Sequence, residues 1–271
     1  MNIRRSEQGQ AMPAETVQIP KTAFDDNNET AIYWMGNASI FINSHGTDLM
    51  IDPLLEGFDM KLLIDMPLNQ RDIPKLDALL ITHDDNDHFS RGFINDTKAV
   101  CKSYHAPKYV AGLINELGVS ATGHDINESF EVNDLKITLT PAEHNWKNGS
   151  KKYQFREWKL EDYCGFYIET RDGSIWTPGD SKLLESQLHM PNPDVILLDF
   201  ADNSWHITFD GAVKLANTYP NAELILIHWG SVDAPQMNTF NGDPIELAKK
   251  VTNPERIHAL APGEKFVLKK K

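Results

Sequence analysis

Residues 76–89 read Leu-Asp-Ala-Leu-Leu-Ile-Thr-His-Asp-Asp-Asn-Asp-His-Phe, an aliphatic run followed directly by a turn rich in His and Asp. A short aliphatic run of this kind is typical of a buried strand. Within six positions the turn places four side chains that can bind metal, namely His83, Asp85, Asp87 and His88. Carboxylates crowded this closely repel one another, and the repulsion costs stability. A bound cation would remove the conflict, so the stretch predicts a metal site at the end of a buried strand.

Composition narrows the class of protein. The chain has 271 residues, of which 41% are hydrophobic and 24% charged, as in an ordinary globular protein. No stretch approaches the ~18 apolar residues that a membrane span requires, and the N-terminus lacks the apolar segment of a secretory signal. The two cysteines, Cys101 and Cys164, do not make a disulfide framework, which predicts a reducing, cytoplasmic location. A net charge of −13 argues against nucleic acid as a partner.

The order of patterns along the chain predicts one domain over residues 29–271, preceded by a polar N-terminal arm over residues 1–28. Strand-like patterns come first and then alternate with helical ones, which favours helices packed outside two sheets. The predicted strands are 31–35, 38–42, 48–51, 77–82, 97–103, 131–140, 163–169, 173–177, 195–200, 223–227 and 257–268. The predicted helices are 107–118 and 208–219, the second capped by Thr208.

Three more side chains of the same chemistry follow predicted strands. His144 comes after the strand at 131–140, Asp180 after the strand at 173–177, and His228 after the strand at 223–227. If the strand ends meet, the total is four His and three Asp, enough for two metal ions that share one bridging carboxylate. Two such ions lower the pKa of a bound water toward neutrality and supply hydroxide.

The chain resembles the metallo-β-lactamase superfamily. The segment 83–88 is similar to its His-x-His-x-Asp-His motif, and the later Glu143-His144, Gly179-Asp180 and His228-Trp229-Gly230 resemble its further motifs in the same order. The early segments 36–39 and 50–53, and the segment 206–212, resemble the branch that includes L-ascorbate-6-phosphate lactonase and N-acylphosphatidylethanolamine-hydrolysing phospholipase D. The resemblance implies an α/β fold, a four-layer αββα sandwich with the site at one edge of the two sheets.

The resemblance also implies an assignment of ligands. The first metal would be bound by His83, Asp85 and His144, the second by Asp87, His88 and His228, and Asp180 would bridge them. Asp87 is in addition expected to orient the attacking hydroxide. His206 is predicted either to act catalytically beside the metals or merely to begin a helix.

Two positions depart from the family pattern. Asp85 stands where most members have His, and a carboxylate is a harder ligand than imidazole, which favours Mn²⁺ or Fe²⁺ over Zn²⁺. Asn37 stands where close relatives often have His, so the role of that position is open.

The segment 145–161 follows His144 and carries both aromatic and cationic side chains. One interpretation is a substrate lid, in which Trp146 and Trp158 supply apolar contact while Lys152 and Arg156 bind an anionic substrate. The other interpretation is a solvated loop without a function.

Together the patterns and the resemblance predict a cytoplasmic metal-dependent hydrolase with two divalent ions (Mn, Fe or Zn), acting on a small, anionic ester or lactone. The choice of a sugar-lactone-like substrate is implied by the resemblance alone. A phosphodiesterase of the phospholipase D type is the second candidate. A degenerate member that binds a metal or a metabolite without catalysis is the third. The sequence leaves a homo-oligomeric assembly open and predicts a small-molecule substrate as the partner.

Overall fold

The computed structural model describes residues 1–269 of the chain. Within them the strands are β1 (Arg4–Arg5), β2 (Ala11–Met12), β3 (Thr30–Trp34), β4 (Ile40–Ser44), β5 (Thr47–Ile51), β6 (Ala78–Leu80), β7 (Tyr104–Pro107), β8 (Ala121–His124), β9 (Ser129–Val132), β10 (Leu135–Pro141), β11 (Cys164–Glu169), β12 (Ser174–Thr177), β13 (Val195–Asp199), β14 (Glu223–Ile227), β15 (Ile257–His258) and β16 (Lys265–Leu268). The α-helices are α1 (Arg91–Thr97), α2 (Lys108–Asn115), α3 (Phe209–Thr218) and α4 (Pro244–Ala248).

Two seven-stranded sheets make up most of the molecule, in the orders β16-β3-β4-β5-β6-β7-β8 and β15-β14-β13-β12-β11-β10-β9. Each sheet is half antiparallel and half parallel. In the first sheet the pairing becomes parallel from β5 to β8, and in the second from β12 to β15. Parallel neighbours need a crossover, and α1, α2 and α3 lie in the crossovers after β6, β7 and β13.

Alternate residues of β3 show how the layers are built. Ile32 and Trp34 belong to the core between the two sheets, whereas Ala31 and Tyr33 pack with α1 and α2 on the outer face of the first sheet. This two-residue alternation is what a strand covered on both faces produces. On the other side, Leu215 of α3 packs with the second sheet. The order helix, sheet, sheet, helix confirms the predicted four-layer αββα sandwich.

Both predicted helices are present as α2 and α3. The side-chain oxygen of Thr208 accepts a hydrogen bond from the backbone N–H of Gly211 at 3.2 Å, as expected of the residue that caps α3.

Three strand predictions were wrong. Residues 97–103 contain the end of α1, which begins where the Ser90 hydroxyl caps the N–H of Phe93, and the strand starts only at 104. Residues 131–140 form a hairpin of β9 and β10, because Asn133 turns the chain with φ of 53°. Residues 257–268 divide at Gly263, whose φ of 80° suits a turn, so that β15 and β16 lie in different sheets.

The N-terminal arm predicted over residues 1–28 is packed rather than irregular. Its strands β1 and β2 pair with each other, and Phe24 is buried in the outer core of the first sheet. The Gln10 amide donates to the carbonyl of Val232 at 2.7 Å, which attaches the arm next to the end of β14. The division at residue 28 stays a prediction, and residues 270–271 of the predicted domain lie outside the described residues.

Candidate metal centre

Seven side chains converge at one edge of the sandwich. We call His83, Asp85, Asp87, His88, His144, Asp180 and His228 the ligand cluster. Its members follow β6, β10, β12 and β14, so both sheets contribute. Ligand sites in α/β sheets form at the carboxyl ends of strands. In the sequence these residues are spread over almost 150 positions, from His83 to His228, and the fold brings them together.

Three triads within the ligand cluster have donor atoms within 4.8 Å of one another, namely His83–Asp85–His144, Asp87–His88–His228 and His83–His88–Asp180, and two further triads include His206. The first two triads are the ligand sets that the resemblance implies, and we treat them as two groups. The first group is His83, Asp85 and His144, in which Asp85 Oδ2 lies 3.5 Å from His83 Nε2 and 3.3 Å from His144 Nε2. These separations leave room for an ion at ligand distances of about 2.0–2.3 Å.

The second group is Asp87, His88 and His228. Asp87 Oδ2 lies 3.3 Å from His228 Nε2 and 3.7 Å from His88 Nε2. Asn37 lies outside this group and holds Asp87 in place. Its side-chain amide donates to the carboxylate and to the carbonyl of Asp87, at 3.3 and 3.1 Å.

Asp180 lies between the two groups. Its Oδ2 is 3.1 Å from His88 Nε2 and 3.3 Å from His228 Nε2 on one side, and 3.9 Å from His144 Nε2 on the other. The preceding Gly179 has φ of 71°, and a Cβ there would lie 2.4 Å from the carbonyl oxygen of Cys164. Only glycine fits this turn, and the turn aims the Asp180 carboxylate inward.

The histidines of the ligand cluster are oriented from behind by their Nδ1 atoms. His88 donates to Asp52 Oδ2 at 2.8 Å, His144 to the Trp205 carbonyl at 2.7 Å, and His228 to the Thr239 carbonyl at 3.1 Å. In the neutral ring, each hydrogen bond fixes the tautomer whose Nε2 lone pair faces the cluster, which is the form that binds a metal. Partners of this kind are usual behind histidines that bind metal.

Asp52 fixes His83 as well, through Thr82. The Thr82 hydroxyl donates to Asp52 Oδ2 at 2.5 Å, so its oxygen accepts from His83 Nδ1 at 2.9 Å. His83 Nε2 is then buried and has no hydrogen-bond partner within the described residues. A buried nitrogen lone pair without a partner is costly, and a divalent ion would satisfy it. The donor set therefore fits a metal ion.

The electrostatics of the ligand cluster keep its acids ionised. Burial alone would raise the pKa of Asp87, but the neighbouring His88 and His228 hold it at about 2. Burial would likewise raise the pKa of Asp180, but His228 and His88 hold it well below its usual range. Both residues thus present carboxylate oxygens, the form that binds a cation.

His206 lies at the same edge as an additional imidazole. Its Nδ1 donates to Asp199 Oδ2 at 2.7 Å, and its Nε2 lies 3.7 Å from Asp180 Oδ2. The residue is 3% exposed and lines the cavity described next. His206 thus lies beside the ligand cluster, and its catalytic role stays a prediction.

A cavity of about 380 Å³ opens beside the ligand cluster. Its lining includes Asp85, Asp87 and Asp180 of the ligand cluster and the further acid Asp59. Large apolar side chains make up much of the rest, together with neutral polar ones; the apolar residues are Phe58, Met60, Trp205, Met237 and Phe240, and the polar ones are Asn86, Asn203 and Thr239. Among residues 1–269 no Lys or Arg lines this cavity.

The four residues predicted to bind substrate differ in whether they line this cavity. Trp146 lines the cavity, but Lys152, Arg156 and Trp158 do not. Arg156 pairs with Asp162 at 2.6 Å and stacks on Tyr109. Lys152 and Arg156 thus lie outside this cavity, and their binding of a substrate stays a prediction.

Trp158 is a structural residue of the loop, 2% exposed, with its ring beneath Lys147. No sequence pattern predicts a role for Lys147, Asp52 or Asp199, although all three contact residues of the site. Asp52 and Asp199 do stand at or just after the end of a strand, β5 and β13, as the ligands do. That placement was the signal that could have found them.

Comparison with known proteins agrees with this geometry. The family profile described as a beta-lactamase superfamily domain matches residues 47–229. Metal-dependent hydrolases of Caldivirga maquilingensis and Koribacter versatilis are 23% and 26% identical, covering 85% and 86% of this chain and 95% and 96% of their own lengths.

Solved structures share the fold. A metallo hydrolase from Ignicoccus hospitalis superposes with a TM-score of 0.70 at 18% identity, covering 89% of this chain and 99% of its own. An isothiocyanate hydrolase from Delia radicum gut bacteria superposes with a TM-score of 0.69 at 19% identity, covering 88% and 99%. Among residues 1–269 no helix has the length and apolar character to cross a bilayer. The chain belongs to the metallo-β-lactamase superfamily.

Proposed function

We propose that this protein hydrolyses a small ester or lactone at a centre of two divalent metal ions. The observation that carries the proposal is the convergence of four Nε2 atoms and three carboxylates, with Asp180 Oδ2 between the two groups. Two ions held there would supply hydroxide at neutral pH and polarise the scissile carbonyl. His83, Asp85 and His144 would hold one ion, and Asp87, His88 and His228 the other.

The remaining roles belong to the chain's own polar groups. Asp87, ionised and fixed by Asn37, is placed to accept a hydrogen bond from the attacking water and orient it. His206 directs Nε2 into the cavity and is held by Asp199. We assign it to donate a proton to the leaving oxygen, since a histidine positioned by a carboxylate suits general acid catalysis.

The cavity wall favours a substrate without charge. Aromatic and methionine side chains make up much of its lining beside the neutral Asn86, Asn203 and Thr239, and Asp59 adds a negative charge outside the ligand cluster. The expectation of an anionic substrate rested on cations of the segment 145–161, and none of them lines the cavity. A phosphodiester would therefore meet no cationic side chain there, which is why we place phosphodiester hydrolysis second to ester or lactone hydrolysis.

Three carboxylates among seven ligands make the ligand cluster harder than an all-imidazole site, so we propose Mn²⁺ or Fe²⁺ as the ions that support most activity. Zn²⁺ binds such ligands more tightly in general. Protein purified without added metal is thus expected to contain Zn²⁺ that reconstitution with Mn²⁺ must replace.

The test is elemental analysis followed by a matched substrate screen. Two metal ions per chain are expected, together with turnover of uncharged aryl esters or lactones that exceeds turnover of their carboxylated or phosphorylated counterparts. A metal-loaded protein that hydrolyses only phosphodiesters would favour the second candidate. A protein that binds no metal would contradict the proposal.

A further inference from the structure

Lys147 is a buried lysine beside the ligand cluster to which the proposed function gives no role. Its side chain is 3% exposed. The Nζ atom lies 2.6 Å from Asp85 Oδ1 and 2.6 Å from Asp84 Oδ1. Lysine is rarely buried to this extent unless it is paired, and one of these two partners is a residue of the ligand cluster.

An aromatic surface holds the ammonium group in place. Nζ lies 4.3 Å from the centroid of the Trp158 ring and 5.3 Å from that of Tyr153. The Trp158 ring is itself fixed, since its Nε1 donates to the Tyr153 carbonyl at 3.0 Å. A cation over aromatic faces keeps favourable electrostatics after it loses water. The loop 145–162 therefore builds a specific position for one positive charge.

The two oxygens of Asp85 have different partners as a result. Oδ1 faces Lys147, whereas Oδ2 accepts from Trp146 Nε1 at 2.7 Å and faces the Nε2 atoms of His83 and His144. The ion pair at Oδ1 and the indole hydrogen bond at Oδ2 restrain rotation of the carboxylate from opposite sides. Only Oδ2 is directed at the histidines.

We propose that Lys147, assisted by Trp146, is a positioning residue that makes Asp85 a ligand. The ammonium group offsets the negative charge that a carboxylate brings to this position, beside Asp87 and Asp180 in the same cluster. It also prevents the mutual repulsion of Asp84 and Asp85 from turning Oδ2 away. The inference rests on the proposed metal centre, but it concerns metal affinity and needs no substrate.

The test is calorimetric titration of the apoprotein with Mn²⁺. Lys147→Met keeps the length and the packing on Trp158 and removes the charge. We expect affinity at one of two sites to fall about 10- to 100-fold, the range typical for loss of a group that orients a ligand. Trp146→Phe, which removes only the Nε1 donor, should lower the same affinity by a smaller factor, and it serves if Lys147→Met does not fold.

Two further variants separate positioning from packing. Lys102→Met is the control: Lys102 also pairs with a buried carboxylate, Asp77 at 2.7 Å, at the start of β6 and away from the strand ends that carry the ligand cluster. It should leave metal affinity unchanged. In an Asp85→Asn background, Lys147→Met should have little further effect, because the charge that it serves has gone.

The outcomes are distinct. Unchanged affinity in Lys147→Met, or an equal loss with and without Asp85→Asn, would overturn the inference while leaving the metal centre intact. A wild-type protein that binds no Mn²⁺ would overturn the proposed function itself.

Discussion

At the scale of single residues, Asp87 and His88 each present one donor atom to the second group of the ligand cluster. Replacing His88 by Ala removes Nε2, and also the Nδ1 group bound to Asp52. Asp87→Ala removes the carboxylate that orients water. We expect either change to reduce kcat at least about 100-fold, and far-UV circular dichroism to stay like wild type, because the cores lie between and outside the sheets.

The control for this prediction is His189→Ala. His189 is an exposed histidine that pairs with Glu185 far from the ligand cluster, so its loss should not change kcat. Turnover above a tenth of wild type by His88→Ala in metal-free buffer would show that hydrolysis does not use the proposed centre.

Some residues of the site can be predicted from the sequence and others cannot. His83 and His88 were predictable because a dense His/Asp turn follows an apolar strand. Lys147 was not, because its role depends on a ring eleven positions later, Trp158, and on the carboxylate of Asp85. The role of Asp52 could not be predicted either, because no local sequence pattern shows that its carboxylate contacts His88. Contacts between distant segments need the fold.

At the scale of elements, strands with buried aliphatic runs were predictable and the segment 145–162 was not. It consists of short 3₁₀ turns, at Trp146–Gly149, Lys151–Tyr153 and Leu160–Asp162. Turns this short do not produce a recognisable periodic pattern of apolar residues in the sequence. The segment's charges were therefore interpreted as facing a substrate, whereas Lys147 and Arg156 pair with acids of the protein.

The same segment yields a prediction about Arg156. Asp162 is 4% exposed, and it loses its cationic partner in Arg156→Ala. Because a buried carboxylate is then left less well satisfied, we expect the free energy of unfolding to fall by about 1–3 kcal/mol. KM should change equally little for charged and uncharged substrates, since Arg156 does not line the cavity.

Lys152→Ala is the control for Arg156→Ala. Lys152 is exposed and lies over the Tyr153 ring, so neither stability nor KM should change by much. Urea denaturation and steady-state kinetics measure both quantities. A rise in KM confined to anionic substrates in either variant would restore the interpretation of this loop as an anion-binding lid.

At the scale of the whole molecule, a histidine outside the metal centre should make the free energy of unfolding change strongly with pH. His105 on β7 is buried, stacks on Phe130, and has its Nδ1 3.0 Å from His124 Nε2. Burial first, and the nearby His124 second, lower its pKa from 6.5 to about 4. Glu128 lies 3.3 Å from the far nitrogen of His124.

The direction of the pH effect follows from linkage. In the folded protein His105 stays neutral down to a pH of about 4, whereas in the unfolded chain it takes up a proton below about 6.5. Its contribution to stability is therefore complete above pH 6.5 and is lost as the pH falls toward 4. In His105→Phe, which keeps the stacking and cannot titrate, this loss is absent.

Between about pH 7.5 and about pH 5.0 the free energy of unfolding of the wild-type protein should fall by about 2 kcal/mol more than that of the variant. Urea denaturation at both pH values measures this difference, with His189→Phe as the exposed control. Parallel pH profiles for wild type and His105→Phe would show that His105 titrates alike in the folded and unfolded chains.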